Sequence, residues 1–245
     1  MENILNEEHI NIHTVDGIMP TFTCWPDGDA MYPAIVFYMD APAIREELHD
    51  MARRMASDGY YVILPDLFYR FGIIRFPERN QYSRAVWNAI MKELSNAMVM
   101  EDTRALLSHM EEHPVVKKGP KATIGYCMSG RIVTTAAGTF PNVFAANASL
   151  YGVGIVTAKE DSPHFLIKDI KGEMYFGFAE SDGTVPAYVV PTLKHELEKH
   201  GINHVLEIHP GTEHGFCFSS RDIYVESAAE KVHTHFMDMC SRHLI

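Results

Sequence analysis

Two short runs built only from apolar and aromatic residues, Ala34–Met39 and Tyr60–Leu64, flank a helix-length segment, Arg45–Ser57. A strand with no polar alternation has no face to give to water, so it belongs inside a parallel sheet covered on both sides. Between the two runs, Leu48, Met51, Ala52 and Met55 recur on one helical face, and Gly59 offers a C-cap. The same alternation continues along the chain. Val143–Leu150, Glu173–Ala179 and Val205–Ile208 read as strands. Asn96–Glu112, Arg131–Phe140, Val189–His200 and Ile223–Arg242 read as helices, with Gly201 stopping the third. Near the N-terminus, Ile10–Val15 and Thr21–Trp25 flank Asp16-Gly17 as a hairpin. The reading is an α/β fold, with a mostly parallel central sheet and helices on both faces. No repeat, low-complexity tract or linker divides it, so residues 1–245 are expected to form a single domain.

Composition narrows the partners. The formal net charge of −11 argues against nucleic acid and supplies no basic patch for a membrane surface. No run approaches the ~18 apolar residues that span a bilayer, and Met1 to His13 has no apolar core of a secretory signal. The four cysteines, Cys24, Cys127, Cys217 and Cys240, show neither CxxC pairing nor metal-ligand spacing. They suit a reducing compartment, and a cytoplasmic protein without metal or cofactor is expected.

Chemistry enters at Gly125-Tyr126-Cys127-Met128-Ser129-Gly130. Ala122-Thr123-Ile124 before it is a buried strand by pattern, and the small and β-branched residues after it suit a buried helix. A nucleophile on a sharp strand-to-helix turn needs small neighbours, because the backbone there is strained and closely packed. The hexapeptide is the G-x-S-x-G elbow with cysteine for the nucleophilic serine and serine for the second glycine. A cysteine nucleophile reacts as its thiolate.

Such an elbow predicts an acid and then a histidine, each in a loop after a strand. Glu173–Ala179 leads into Glu180-Ser181-Asp182-Gly183-Thr184-Val185-Pro186, which places Asp182 in a turn past a strand end. Val205–Ile208 leads into Pro210-Gly211-Thr212-Glu213-His214-Gly215, which places His214 in a glycine-flanked loop. Asp161, Asp169 and Glu180 compete for the acid, and His209 for the base. Order and context select Cys127, Asp182 and His214 as a nucleophile–acid–base triad. The Met128 N–H, directly after the nucleophile, and an N–H from the loop after Asp40 are the expected oxyanion donors; Ala41 is the candidate, since Pro42 has no N–H.

These residues resemble the dienelactone hydrolases. The resemblance runs over nearly the whole chain. It takes in Ala34-Ile35-Val36-Phe37-Tyr38-Met39-Asp40, Asp58-Gly59-Tyr60, Pro65-Asp66-Leu67-Phe68-Tyr69-Arg70 and Gly125-Tyr126-Cys127. It continues through Tyr151-Gly152-Val153-Gly154, Asp182-Gly183-Thr184-Val185-Pro186 and His214-Gly215-Phe216. It implies an α/β-hydrolase fold with a Cys-Asp-His triad that opens lactones or cleaves esters, acting on a small molecule as a monomer or homodimer. It also implies an acidic residue, usually glutamate, beside the resting thiol. Asp40 stands there, one methylene shorter, and either joins thiol activation or caps the loop into the Arg45 segment.

Dienelactone carries a carboxylate, which the family meets with arginine. Four residues after the histidine this chain has Phe218 instead, with Arg221 three further on. Arg70, Arg75 and Arg79 surround a lid-like segment, Phe71 to Gln81. Arg75 and Arg221 are candidate carboxylate ligands, and Tyr38, Tyr151 and Phe216 are candidate pocket walls or core residues. Two other readings stand beside a lactonase: a carboxylesterase for small uncharged esters, and a thiol redox sensor that kept the fold without turnover.

Overall fold

A computed structural model describes residues 4–245, in two compact units, one ending at Gly119 and one running Pro120–Ile245. Among the described residues no helix is long and apolar enough to cross a membrane.

The first unit contains β1 (Leu5–Thr14), β2 (Gly17–Pro26), β3 (Ala34–Tyr38), α1 (Glu46–Ser57), β4 (Tyr61–Pro65), α2 (Gln81–Glu93) and α3 (Asn96–Glu112). Its strands lie in the order β1-β2-β4-β3. β1 and β2 form the expected hairpin, but β1 starts five residues earlier and ends one earlier, at Thr14, and β2 already begins at Gly17, opposite Thr14, so the turn is Val15-Asp16. Gly17 has a φ of 141°, which only glycine adopts without strain. β2 pairs antiparallel with β4, and β3 pairs parallel with β4. Every residue of β3 and β4 is buried, as their unbroken apolar runs require. In α1, Leu48, Ala52, Met55 and Ala56 are buried, while Met51 is only half-buried. Gly59, at φ 102°, closes the helix by donating its N–H to the Ala56 carbonyl.

The segment from Phe71 to Gln81 connects two helical elements. A 3-10 turn, Tyr69–Phe71, ends at Gly72, and α2 begins at Gln81. The sequence reading misses α2. The helix is started by Asn80, whose side chain accepts from the Tyr82 and Ser83 amides while Ser83 accepts from the Asn80 amide. Tyr82, Ala85, Val86, Ala89 and Ile90 share one face of α2, but only Ile90 of it is buried.

The second unit contains β5 (Lys121–Tyr126), α4 (Ser129–Thr139), β6 (Phe144–Leu150), β7 (Glu173–Ser181), α5 (Val189–Lys199), β8 (His204–Glu213) and α6 (Glu226–Leu244). Its strands run in the order β5-β6-β7-β8, each parallel to its neighbour. β8 extends through Pro210-Gly211 to Glu213, well past the apolar run Val205–Ile208. α6 begins at Glu226, three residues later than its periodicity suggests.

Candidate active site

The elbow has the geometry its sequence predicts. Among the described residues Cys127 is one of three non-glycine residues with positive φ, at 56°, a left-handed conformation that costs a side-chain-bearing residue energy. The surroundings hold it there. The Cys127 N–H donates to the Leu150 carbonyl at 3.0 Å, and the Cys127 carbonyl accepts from Gly130 at 3.1 Å and Val153 at 2.9 Å. A Cβ on Gly130 would lie 2.3 Å from Gly152 Cα, and one on Gly125 would lie 2.8 Å from both Cβ and O of Ser129. No methyl group fits at either position, which is why the turn needs glycine there. Met128 is the N-cap of α4, where the amide N–H has no carbonyl of its own helix to meet.

The acid and the histidine are brought together by strand register. The β7–β8 ladder shifts between Ala179 and Ser181, and Ser181 then pairs with Glu213. The first residue past each strand is Asp182 and His214. His214 Nδ1 lies 2.7 Å from Asp182 Oδ2. The shift is held by Glu180, whose carboxylate accepts the Gly211 N–H at 2.8 Å, and by Thr212, whose hydroxyl donates to the His209 carbonyl at 2.7 Å. Glu180 is thereby committed to the loop backbone. His209 is buried, with Nε2 2.9 Å from the Tyr175 hydroxyl, and burial holds its pKa below the ordinary histidine value.

Electrostatics follow the geometry. Burial pushes the His214 pKa down, but its hydrogen bonds to Asp182 and to the Cys127 sulfur, with the charge those partners carry, outweigh that and raise it to about 9. Burial pushes Asp182 up, and the bonds from His214 and Thr184 more than reverse it, so it lies below the usual carboxylate range. The imidazole is therefore a strengthened base between the Cys127 sulfur and a carboxylate. Such an array can take a proton from sulfur and return it to a leaving oxygen.

Aromatic residues enclose this histidine. The Tyr151 ring meets the His214 ring edge-on, with centroids 5.0 Å apart. Phe216 packs behind Tyr151, with centroids 5.3 Å apart, and both residues are fully buried. Tyr151 also carries positive φ, at 36°. Phe218, standing where an arginine is expected, is buried against Tyr126 and Tyr151. A guanidinium there would lie in an apolar cluster, which explains the departure. Arg221 serves the same loop. Its Nη1 donates to the His214 carbonyl at 2.6 Å.

The remaining candidates belong to the first unit. Asp40 is buried and held by both terminal nitrogens of Arg45, at 2.5 and 3.2 Å. Arg45 also donates to Glu47 and to the Ala43 carbonyl. Ala41 is buried in this loop, whose turn is closed by Ala43 at φ 66°. Tyr38 is fully buried and shares a 2.7 Å hydrogen bond with the Thr103 hydroxyl, so its polar end is used within the core. Arg75 is bonded at 2.7 Å to Asp66, a nearly fully buried carboxylate. The sequence reading misses Arg45 and Thr184; their spacing to Asp40 and Asp182 becomes meaningful only once the loops are folded.

Residues 19–244 match the model of the family described as "Dienelactone hydrolase family". A Synechocystis protein named "Putative carboxymethylenebutenolidase" is 28% identical over 83% of this chain and 83% of its own length. Among solved structures, "Putative Dienelactone Hydrolase" from Klebsiella pneumoniae superposes with a TM-score of 0.87 at 20% identity, covering 98% of this chain and 100% of that one. A dienelactone hydrolase-like promiscuous phosphotriesterase from metagenomic libraries superposes with a TM-score of 0.80 at 14% identity, covering 98% and 99%. At these identities the structural matches establish the fold, the α/β-hydrolase fold.

Proposed function

The chain belongs to the dienelactone hydrolase family, and from that premise we propose that it opens a lactone or cleaves a small carboxylic ester through Cys127, His214 and Asp182. The observation that carries the reading is His214 held at 2.7 Å by Asp182 Oδ2 and bonded to Cys127, which stands in a left-handed conformation on the turn between β5 and α4.

His214 takes the thiol proton on Nε2, since Nδ1 faces Asp182. The Cys127 sulfur attacks the ester carbonyl carbon and its electron pair moves onto oxygen. The Met128 N–H, at the open end of α4, receives the oxyanion. Collapse expels the alkoxide, which takes the proton from His214 and leaves a thioester. In a lactone the freed hydroxyl stays tethered to the acyl group. Water, deprotonated by His214, attacks the thioester; Cys127 leaves as the thiolate and the product is a carboxylate. Asp182 keeps Nδ1 protonated and stabilises the imidazolium without taking the proton.

A second reading, an esterase for uncharged substrates, draws support from the arginines. Arg221 is bonded to a main-chain carbonyl, Arg75 to Asp66, and Phe218 fills the expected arginine position. A cytoplasmic setting is consistent with all four cysteines being free thiols.

The test is hydrolysis of a dienelactone and of p-nitrophenyl acetate by the wild type and by Cys127→Ala, with intact-protein mass spectrometry during turnover. The expected result is an acyl adduct on the wild type, with adduct and turnover both lost in the variant. Preference for the lactone selects the first reading, and preference for the aryl ester selects the second. Equal activity of both proteins rejects Cys127 as the nucleophile. An inactive wild type whose thiol is reversibly oxidised by peroxide favours the sensor.

A further inference from the structure

Thr184 lies in the Asp182 turn and faces both the acid and the base. Its N–H donates to Asp182 Oδ1 at 2.9 Å, and its hydroxyl donates to the same oxygen at 2.6 Å. The same hydroxyl oxygen lies 2.9 Å from His214 Nδ1. Asp182 uses its other oxygen, Oδ2, for His214. The three side chains therefore form a closed triangle, in which each touches the other two.

Counting protons assigns the directions. An ionised carboxylate only accepts, and Asp182 is held ionised by its partners. The threonine hydroxyl has one proton, and at 2.6 Å it is given to Asp182. Toward His214 the hydroxyl can then only accept. Nδ1 must carry a proton, which it shares between Asp182 Oδ2 and Thr184 Oγ1. Nε2 is the nitrogen left to exchange a proton with Cys127.

We propose that Thr184 is a positioning residue of the triad: its hydroxyl bridges Asp182 and His214, holds the imidazole in the Nδ1–H form and sets the ring plane that points Nε2 at the Cys127 sulfur. Asp182 alone offers Nδ1 one acceptor, about which the ring can swing. Two acceptors on one edge remove that freedom, and small misorientations of a proton carrier cost rate disproportionately. The neighbouring sequence supports the arrangement. The turn is closed by the Val185 N–H, which donates to the Asp182 carbonyl at 3.4 Å and brings residue 184 back beside the carboxylate. Pro186 then ends the turn, with the Val189 N–H donating to its carbonyl.

The proposal rests on the triad reading, and its test separates the two. Turnover of p-nitrophenyl acetate is measured for the wild type, Thr184→Val and Thr184→Ser. In each, the His214 Nδ1 proton is observed in the downfield proton NMR spectrum, with His214→Gln identifying the signal. Valine keeps the shape without the hydroxyl, and serine keeps the hydroxyl without the methyl. The expected result is a kcat about tenfold lower in Thr184→Val with an almost unchanged KM, a shifted and broadened Nδ1 signal, and recovery of both in Thr184→Ser. A wild-type kcat or an unmoved Nδ1 signal in Thr184→Val overturns the proposal, as does a Thr184→Ser as impaired as Thr184→Val. A wild type that hydrolyses neither p-nitrophenyl acetate nor a dienelactone rejects the hydrolase reading instead, and the NMR signal still decides whether Thr184 bridges.

Discussion

Arg221 lies across the backbone of Gly215 and donates Nη1 to the carbonyl of His214 at 2.6 Å. A Cβ on Gly215, which has a φ of 93°, would stand 1.5 Å from that nitrogen. The arginine and the glycine thus form one device that fixes the loop carrying the proposed base. This differs from the carboxylate-binding role that the sequence suggests for Arg221, and it predicts a different kinetic signature. A residue that binds substrate directly affects KM most, whereas one that places the base affects kcat. Arg221→Met is expected to lower kcat about tenfold with less than a twofold change in KM. Steady-state kinetics on a carboxylated and an uncharged ester checks this: a loss confined to the carboxylated substrate would return Arg221 to substrate binding.

Stability should depend on pH through His214 and Asp182. The folded His214 pKa, about 9, lies above its ordinary value of 6.5. Its contribution is therefore fully present below 6.5 and is lost as pH rises through about 9. Asp182 is shifted the other way. Its contribution is present above the ordinary 3.8 and is lost as pH falls below it. Melting temperatures of the wild type and His214→Gln, measured from pH 5 to pH 10, should converge toward the alkaline end. A constant difference across that range would show that the histidine is not held charged by its neighbours.

The buried strands and the strand-end places of Cys127, Asp182 and His214 were legible in the sequence for a simple physical reason. β3 and β4 are buried along their whole length, so their composition alone marks them. Cys127, Asp182 and His214 each follow a strand, so their places depend on strand ends that can be read locally. What was not legible depends on three-dimensional partners. α2 starts on an Asn80–Ser83 capping pair in place of the usual glutamate or glutamine at the third position, and it buries only Ile90. The Arg45 pairing with Asp40 needs the turn at Ala43, an alanine in a left-handed conformation that no pattern announces. The roles of Thr184 and Arg221 depend on the β7–β8 register shift and on a main-chain carbonyl, and neither leaves a mark in residue types.

The elbow should tolerate no side chain where it meets backbone. Gly130→Ala puts a methyl group 2.3 Å from Gly152 Cα, where no rotamer change can relieve it. The expected cost is roughly 3 kcal/mol or more. Gly183 is the control, because a Cβ there meets nothing within 4 Å. Gly183→Ala should stay within about 0.5 kcal/mol of the wild type. Urea denaturation of the two variants compares them directly. Equal midpoints would mean that the elbow relaxes more easily than its close backbone approach implies.

Asp40 and Arg45 should behave as a unit in stability. Asp40 is buried, and its side chain is 3% exposed against 19% for Arg45. Removing the guanidinium leaves a carboxylate in the interior without its bidentate partner. Arg45→Met is therefore expected to cost roughly 3–5 kcal/mol. Asp40→Asn keeps the volume and two polar atoms and leaves the more exposed member charged, so it should cost less. The double variant removes the buried charge together with its partner, and should recover much of the Arg45→Met loss. A double-mutant cycle in urea measures the coupling. If the two single losses simply add, the pair is structurally independent, and Asp40 is then free to act on another group. If they couple strongly while esterase kcat in Asp40→Asn stays at the wild-type level, Asp40 serves the loop and not the thiol.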